Sequence, residues 1–443
     1  MSGAAPMPDP WRPWHVQALR KVRNETQAEL AEALVMTENS VWRWEHGDRR
    51  PTRPCSVRAL NGLLEALTSD ERERYYREVT RLLAPEGGAD PGPGASLPTR
   101  ASTHERDGMH RRDNLQAIAA VLAGALAGGF TWDRLAAATT VDAGLVADYE
   151  QGIDGLTEVY AKGNPSVMLP AAAGFADGLA PVLGRAPTHE LGLRLSAVAV
   201  DAHIIAGVLA FDAGSLVLVH RHLAQAYHVA ESSMDPLLRA RSYTMLAKYI
   251  HSPLMGATGS ARQAVGALTK AKALARHADG YTRAFLATSF AQEICELGDA
   301  GLCEWALEDA GRALDTATGD PRGLFSVRGL YGGGEQYIDG VGGLAAGLAG
   351  RSDEAERRLS VQVDQAVGVR QRMAGLCGLG TARVADADPE GACAALVEAA
   401  DYGRVMGYAG RVARVRAVRA KMPPTWGALR CVVDLDERLR TPA

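Results

Sequence analysis

The chain has 443 residues, with 48 Lys+Arg against 52 Asp+Glu and a formal net charge of −4. That length suits two or three domains, and 47% hydrophobic with 23% charged residues is an ordinary globular balance, which excludes a disordered, collagen-like or disulfide-scaffold chain. The slight acidity excludes a protein that coats nucleic acid by bulk charge, while leaving room for a local basic face. Six lysines against 42 arginines point to a GC-rich genome. Cys55, Cys295, Cys303, Cys377, Cys393 and Cys431 never form a CxxC pair, so they read as reduced core thiols and no metal site or cofactor is expected. No basic stretch followed by an apolar run opens the sequence, so no signal peptide is expected. The longest apolar run, Leu115 to Phe130, is broken by Gln116, Gly124, Gly128 and Gly129 and is too short to span a bilayer. Arg111-Arg112 precedes that run but lies too deep in the chain for a twin-arginine signal. The expected setting is cytoplasmic, with no membrane contact.

Residues 1–10 are a Pro/Gly/Ala tail, and helical periodicity with short breaks runs from Trp14 to Leu83. The sharpest signal is LRKVRNETQAELAEALVMTENSVWRWEHGDRRP, Leu19 to Pro51. Thr26 can N-cap a helix beginning Gln27-Ala28-Glu29, and Glu29 sits where a capping box wants an acid. Leu30, Ala33 and Leu34 share one face of it. The pattern breaks at Val35-Met36, and Thr37 can N-cap a second short helix over 38–46, ended by Gly47. In that helix Val41 and Trp44 must face inward, which puts Glu38, Asn39, Trp42, Arg43 and His46 on the exposed side. Two short helices joined by a tight turn, the second polar on its outer face, make a helix-turn-helix.

The segment over about residues 14–67 resembles the lambda-repressor-like, or XRE-family, helix-turn-helix domain. TQAELAEAL followed by the Ser-Val-x-Arg-Trp-Glu-x-Gly core carries the resemblance. It implies that Glu38, Asn39, Trp42 and Arg43 face DNA bases. Arg43 would fork onto guanine and Asn39 pair with adenine. It further implies that Gln27, Thr37, Arg49, Arg50 and Arg53 contact phosphates, and that Arg20 pairs structurally with Glu45. Three positions depart from the family pattern. Val35 stands where the turn usually has Gly, so left-handed geometry there would carry strain. Trp42 is bulky for a groove and either stacks on sugar or a thymine methyl or belongs to the core. Glu38 repels phosphate unless it accepts from a cytosine amino group.

Charge supports DNA contact only locally. Residues 43–58 carry five Arg against Glu45 and Asp48, a net of +3, whereas residues 1–70 balance nine basic against nine acidic groups. Phosphate neutralisation sets affinity, so a single module should bind weakly. A homodimer on an inverted repeat of double-stranded DNA, with half-sites about 34 Å apart, is the natural remedy. A Thr68-x-x-Glu71 capping box opens a further helix to Leu83, striped by Tyr75, Val79, Leu82 and Leu83. That helix either closes the small domain or pairs across a dimer.

From Pro85 to Pro98, eight of fourteen residues are Gly or Pro. A linker is expected at 85–104, with a reach of roughly 25 Å as flexible coil. The expected domains are therefore a DNA-binding domain at 1–84 (core 14–67) and a large helical domain at 105–440. The latter shows a loose repeat: turns at Gly259-Ser260, Gly298-Asp299, Gly350-Arg351 and Asp388-Pro389 each precede a helix with small residues where a neighbour must approach. Such spacing reads as an α-solenoid, in which each hairpin buries its apolar stripe on the next. It resembles degenerate tetratricopeptide repeats. The expected fold class is all-α.

No catalytic constellation emerges, and a non-enzymatic role is expected. Tyr331-Gly332-Gly333-Gly334-Glu335 lacks the lysine and hydroxyl of a P-loop, and Gly375-x-x-Gly378-x-Gly380 reverses the dinucleotide fingerprint. His220 and His222, two apart on a helix, point in different directions. A solenoid does offer a groove. Its candidate lining residues are Tyr243, Tyr249, His251, Arg328, Tyr331, Glu335 and Tyr337, aromatics with a few polar groups. The layout also resembles regulators in which repeats bind a signalling peptide and control the DNA-binding domain, and Arg-rich proteins of filamentous actinobacteria that share it. The leading expectation is a dimeric transcription regulator whose repeats bind a peptide, small molecule or partner protein. The alternative is an interaction scaffold with an auxiliary or degenerate DNA module.

Overall fold

A computed structural model describes residues 7–8, 10–47, 49–83, 141–160, 164–253, 259–318, 334–366 and 368–440. The expected linker 85–104, the apolar run 115–130, Arg328 and Tyr331 lie outside them. Among the described residues there are nineteen α-helices and no strand. The first five form a small unit: α1 (Pro13–Val22), α2 (Gln27–Ala33), α3 (Glu38–Glu45), α4 (Pro54–Glu65) and α5 (Ser69–Leu83).

Local chemistry explains these helices. Thr26 Oγ1 accepts from the Glu29 amide while Glu29 accepts from the Thr26 amide, a complete capping box for α2. Thr68 and Glu71 form the same device ahead of α5. Thr37 departs from expectation. Its hydroxyl meets Ser40 Oγ at 2.9 Å and caps no backbone amide. Helix α3 ends at Glu45, with His46 as its cap and Gly47 at φ +83°. The turn between α2 and α3 passes through Val35 at φ +54°, a left-handed geometry that costs an L-residue about 1–2 kcal/mol. The small core gathers Val16, Leu19, Leu30, Val41, Trp44, Leu60, Tyr75 and Val79.

The remaining helices make the body: α6 (Ala143–Tyr160), α7 (Pro165–Leu183), α8 (His189–Asp212), α9 (Leu216–Ser233), α10 (Pro236–Leu246), α11 (Ala261–Leu274), α12 (Gly280–Glu296), α13 (Ala300–Asp315), α14 (Gly334–Leu348), α15 (Ser352–Asp364), α16 (Val369–Ala385), α17 (Pro389–Met406), α18 (Ala409–Ala420) and α19 (Arg430–Arg440). A π-helical turn, Ala247–His251, extends α10. The most extensive packing runs between chain neighbours: α8 on α9, α12 on α13, α14 on α15 and α16 on α17. Connections this short fold each pair back as an antiparallel hairpin. The connecting turns repeat one device: a left-handed residue (Gly214, Gly298, Gly350, Ala387) followed by the start of the next helix. Asp299 and Asp388 then cap α13 and α17. The fold is thus a stack of helical hairpins of tetratricopeptide-like kind.

Glycines let the hairpins approach. A Cβ at Gly378 or Gly380 would fall 2.8 Å from Leu359 or Leu396, so the reversed dinucleotide pattern is a packing surface of α16. The stack also returns on itself. Helix α18 packs on α8 so closely that a Cβ at Gly410 would meet the Phe211 carbonyl oxygen at 1.9 Å. Beside it, buried Asp212 accepts from Arg370 Nε at 2.6 Å and Arg411 Nε at 2.7 Å. Helices α7 and α8 are long and apolar enough to cross a bilayer, but most of α8 is buried inside the body.

Candidate functional site

Among the described residues, the outer face of α3 and a pocket inside the body gather chemistry. On α3, Glu38, Asn39 and His46 are exposed and Arg43 is half-buried. Trp42 is 42% exposed and stacks on His46, ring centroids 4.3 Å apart. It therefore lies on the outer face and not in the core. Arg49, Arg50 and Arg53 follow, all exposed, as is Thr37 before the helix. Beneath the helix, Arg20 donates from Nε and Nη2 to the two carboxylate oxygens of buried Glu45, at 2.6 and 3.1 Å. This is the pairing that the family resemblance implied, and the bidentate fork fixes α1 against α3. Gln27 joins it, donating from Nε2 to Glu45 Oε2 at 2.6 Å. Its side chain is thus tied inward, where a phosphate contact was expected.

The small unit is docked on the body. His15 Nε2 meets Asp299 Oδ2 at 2.6 Å with both groups buried. Burial raises the Asp299 carboxyl, but the charge and hydrogen bond of His15, with the Leu302 amide, outweigh this and hold it below its usual range. Arg12 donates to the Leu297 carbonyl, and the guanidiniums of Arg12 and Arg262 both lie over the Trp14 ring, at 5.5 and 5.3 Å. Tyr76 of α5 stacks on Trp305, whose Nε1 donates to Glu73 at 2.9 Å. Helix α5 therefore closes the small unit on α1, and its outer face is taken by the body.

The pocket is a small, partly open cleft lined from α6, the π-helical turn, α12, α14, α15, α16 and α18. Lys248 Nζ donates to Tyr337 Oη at 2.8 Å, and that hydroxyl donates to Gln292 Oε1 at 2.8 Å. Glu293 bonds Ser252 through its carboxyl, but its Oε2 is buried without a partner. Burial pushes Glu293 up and Lys248 down from their ordinary values, each partly offset by the other's charge. Arg370, Arg411 and Arg414 also line the cavity, with Arg370 lying over the Tyr160 ring at 4.2 Å. Among the described residues, Arg370 Nη2 and Arg414 Nε are buried without hydrogen-bond partners. Even with Asp212 paired to Arg370 and Arg411, the three arginines give this region a positive excess.

Of the groove residues read from sequence, Tyr249 and Tyr337 line this pocket. Tyr243 is buried against Tyr227, His251 is buried in the π-helical turn, and Glu335 is exposed; none of these three is in the lining. Lys248, Glu293, Arg370, Arg411 and Arg414 were not anticipated. The missed signal was charge inside strongly apolar helical segments, such as Lys248 within YTMLAKYI.

No family model matches the chain, and no curated protein matches it. Among solved structures it is similar to the crystal structure of yeast Tom70, with 13% identity and a TM-score of 0.27, over 96% of this chain and 85% of that one. The hairpin stack described above, not that likeness, defines the class: an all-helical protein with a tetratricopeptide-like body.

Proposed function

We propose that this chain is a non-enzymatic, sequence-specific DNA-binding regulator whose body senses a compact polar ligand bearing an anionic group. The observation that carries the DNA reading is the outer face of α3. Its exposed Glu38, Asn39 and Trp42 and half-buried Arg43 are flanked by exposed Arg49, Arg50 and Arg53. Base-reading groups on one short helix, with phosphate-neutralising groups at its end, suit a helix laid in a major groove. The balanced charge of residues 1–70 favours a homodimer on two half-sites of a cytoplasmic operator over a lone module.

The sensing reading rests on the pocket and on one connection. Helix α12 carries Gln292 and Glu293 in the pocket wall, and Leu297 and Asp299 lie just beyond its end, where they hold Arg12 and His15. A ligand that moves Glu293 acts about 6 Å along the helix axis from the docking turn. Ligand occupancy and the seating of the small unit are thereby coupled through a single rigid element.

The second reading is a protein-interaction scaffold. It is favoured by the body's engagement of α5 through Trp305 and by the commitment of Gln27 to Glu45. The experiment that separates the readings uses full-length protein and Arg43→Ala on DNA recovered from genomic fragments. DNA reading expects a loss of about 1–3 kcal/mol at one base position. Undiminished sequence preference in Arg43→Ala would remove α3 as the reading helix.

A further inference from the structure

We propose that His203, His222 and Asp177 form a binding site for a divalent cation of the zinc class, within the α7–α8–α9 stack. His203 lies in the middle of α8, His222 near the start of α9 and Asp177 on α7. One ring nitrogen of each histidine and one carboxylate oxygen of Asp177 lie within 4.8 Å of one another. The two Nδ1 atoms are 3.2 Å apart. Two imidazole nitrogens at zinc-ligand distance, about 2.05 Å, subtend about 3.3 Å at a tetrahedral centre. The two nitrogens are thus already at the separation a shared cation needs, and the Asp177 oxygen, within 4.8 Å of them, would close on it to complete the set.

A packing role explains the pair poorly. Both rings are buried, His222 completely. Among the described residues the sole hydrogen-bonding contact of the His222 ring is the other imidazole, through Nδ1; its Nε2 has no partner and would still need one when Nδ1 binds a cation. Buried polar nitrogens are ordinarily satisfied. Here two of them are turned toward each other, and that contact demands a donor from one ring and an acceptor from the other.

Asp177 supplies the third group and the route in. Its carboxylate is exposed, and Arg221 Nη2 donates to its Oδ2 at 2.7 Å, so a cation would share the group with that arginine. Two nitrogens and one oxygen suit a borderline cation and disfavour calcium or magnesium, which take oxygen ligands. The fourth position is left for water. Bound there, the cation would pin three consecutive helices, of which α8 also presents Asp212 to Arg370 and Arg411 of the pocket. The site is independent of any DNA contact and of the pocket's ligand.

The test uses untagged full-length protein, stripped with chelator and titrated with Co²⁺ and then Zn²⁺. The wild type should take up a single equivalent of Co²⁺ with the strong visible absorption of a four-coordinate ion, which Zn²⁺ abolishes. Asp177→Asn, at an exposed position, should bind at least tenfold more weakly. His203→Gln should lose the absorption while keeping the wild-type far-ultraviolet helical signal. If His203→Gln does not fold, Asp177→Asn alone decides. Absence of the four-coordinate spectrum in the wild type would overturn the site. So would uptake unchanged by Asp177→Asn, which marks adventitious binding on other histidines.

Discussion

Breaking the His15–Asp299 bond should unseat the small unit and let α1 and α5, no longer held against the body, open more readily. The two groups meet at 2.6 Å in a buried environment, and Asp299 Oδ1 is separately occupied by the Leu302 amide at 3.1 Å. His15→Ala therefore leaves one carboxylate oxygen buried and unsatisfied while the α13 cap survives. A hydrogen bond to a charged group contributes about 1.5–3 kcal/mol, and breaking a buried pair from one side costs about 3–5 kcal/mol. A loss of about 3 kcal/mol in docking follows, or roughly 150-fold in the docking equilibrium. The other contacts across this seam, Trp305 with Glu73 and Tyr76, Arg12 with Leu297 and Arg262 with Trp14, reach other atoms and do not replace the partner of Asp299 Oδ2. Hydrogen–deuterium exchange read by mass spectrometry is the assay. Amides of α1, α5 and the α12–α13 turn should exchange on the order of a hundredfold faster in His15→Ala, while α16 and α17 keep wild-type rates. Asp299→Asn, which preserves a capping oxygen, should reproduce the effect more weakly. Equal rates in wild type and His15→Ala at α1 and α5 would refute this docking energetics.

Three further outcomes follow from particular residues. Val35→Gly should stabilise the small unit by about 0.5–1 kcal/mol, because Val35 is 93% exposed at φ +54° and relief of left-handed strain exceeds the entropy of Gly; a urea midpoint unmoved or lowered would contradict it. Asp212→Asn should destabilise the body by about 3–5 kcal/mol, since Arg370 and Arg411 both lose their buried carboxylate. Faster exchange at α18 and an earlier urea transition report it, and a change under 1 kcal/mol would count against closure through Asp212. Docking should also respond to acid in a defined direction. The depressed Asp299 carboxyl contributes stability that is complete above its unfolded pKa of about 3.9 and is lost as pH falls through the lower folded value. Exchange at α5 should thus stay slow down to about pH 4 and rise below it; loosening already at pH 6 would assign the effect elsewhere.

Much of the local architecture was legible because its causes are local. The Thr26–Glu29 and Thr68–Glu71 boxes, Gly47, and the turns at Gly298-Asp299 and Asp388-Pro389 each act within a few residues, and helices begin or end at them. The same signal at Gly214-Ser215 was overlooked, although it opens α9. What sequence could not carry is convergence over long separations. His15 finds Asp299 across 284 positions and Arg370 finds Asp212 across 158. Those meetings depend on the winding of the hairpin stack, which no spacing rule encodes. The pocket was half legible for the same reason: the aromatics Tyr249 and Tyr337 stand out in an Ala/Gly background, whereas Lys248 and Glu293 become a pair only when α12 and the π-helical turn come together. Thr37 and Gln27 show a subtler limit. Each has the right residue type for its expected role, but a nearer side chain, Ser40 or Glu45, competes for its hydrogen bonds.

The most direct measurement on the proposed function is selection of genomic fragments by the full-length protein at about 150 mM salt, where non-specific phosphate contacts are weak. A DNA-reading α3 in a dimer should enrich a short inverted repeat with half-sites centred one helical turn, about 34 Å, apart. Recovery of fragments with no shared sequence by the wild type and by the undocked His15→Ala protein alike would contradict the regulator and leave the helical body as a protein-interaction scaffold.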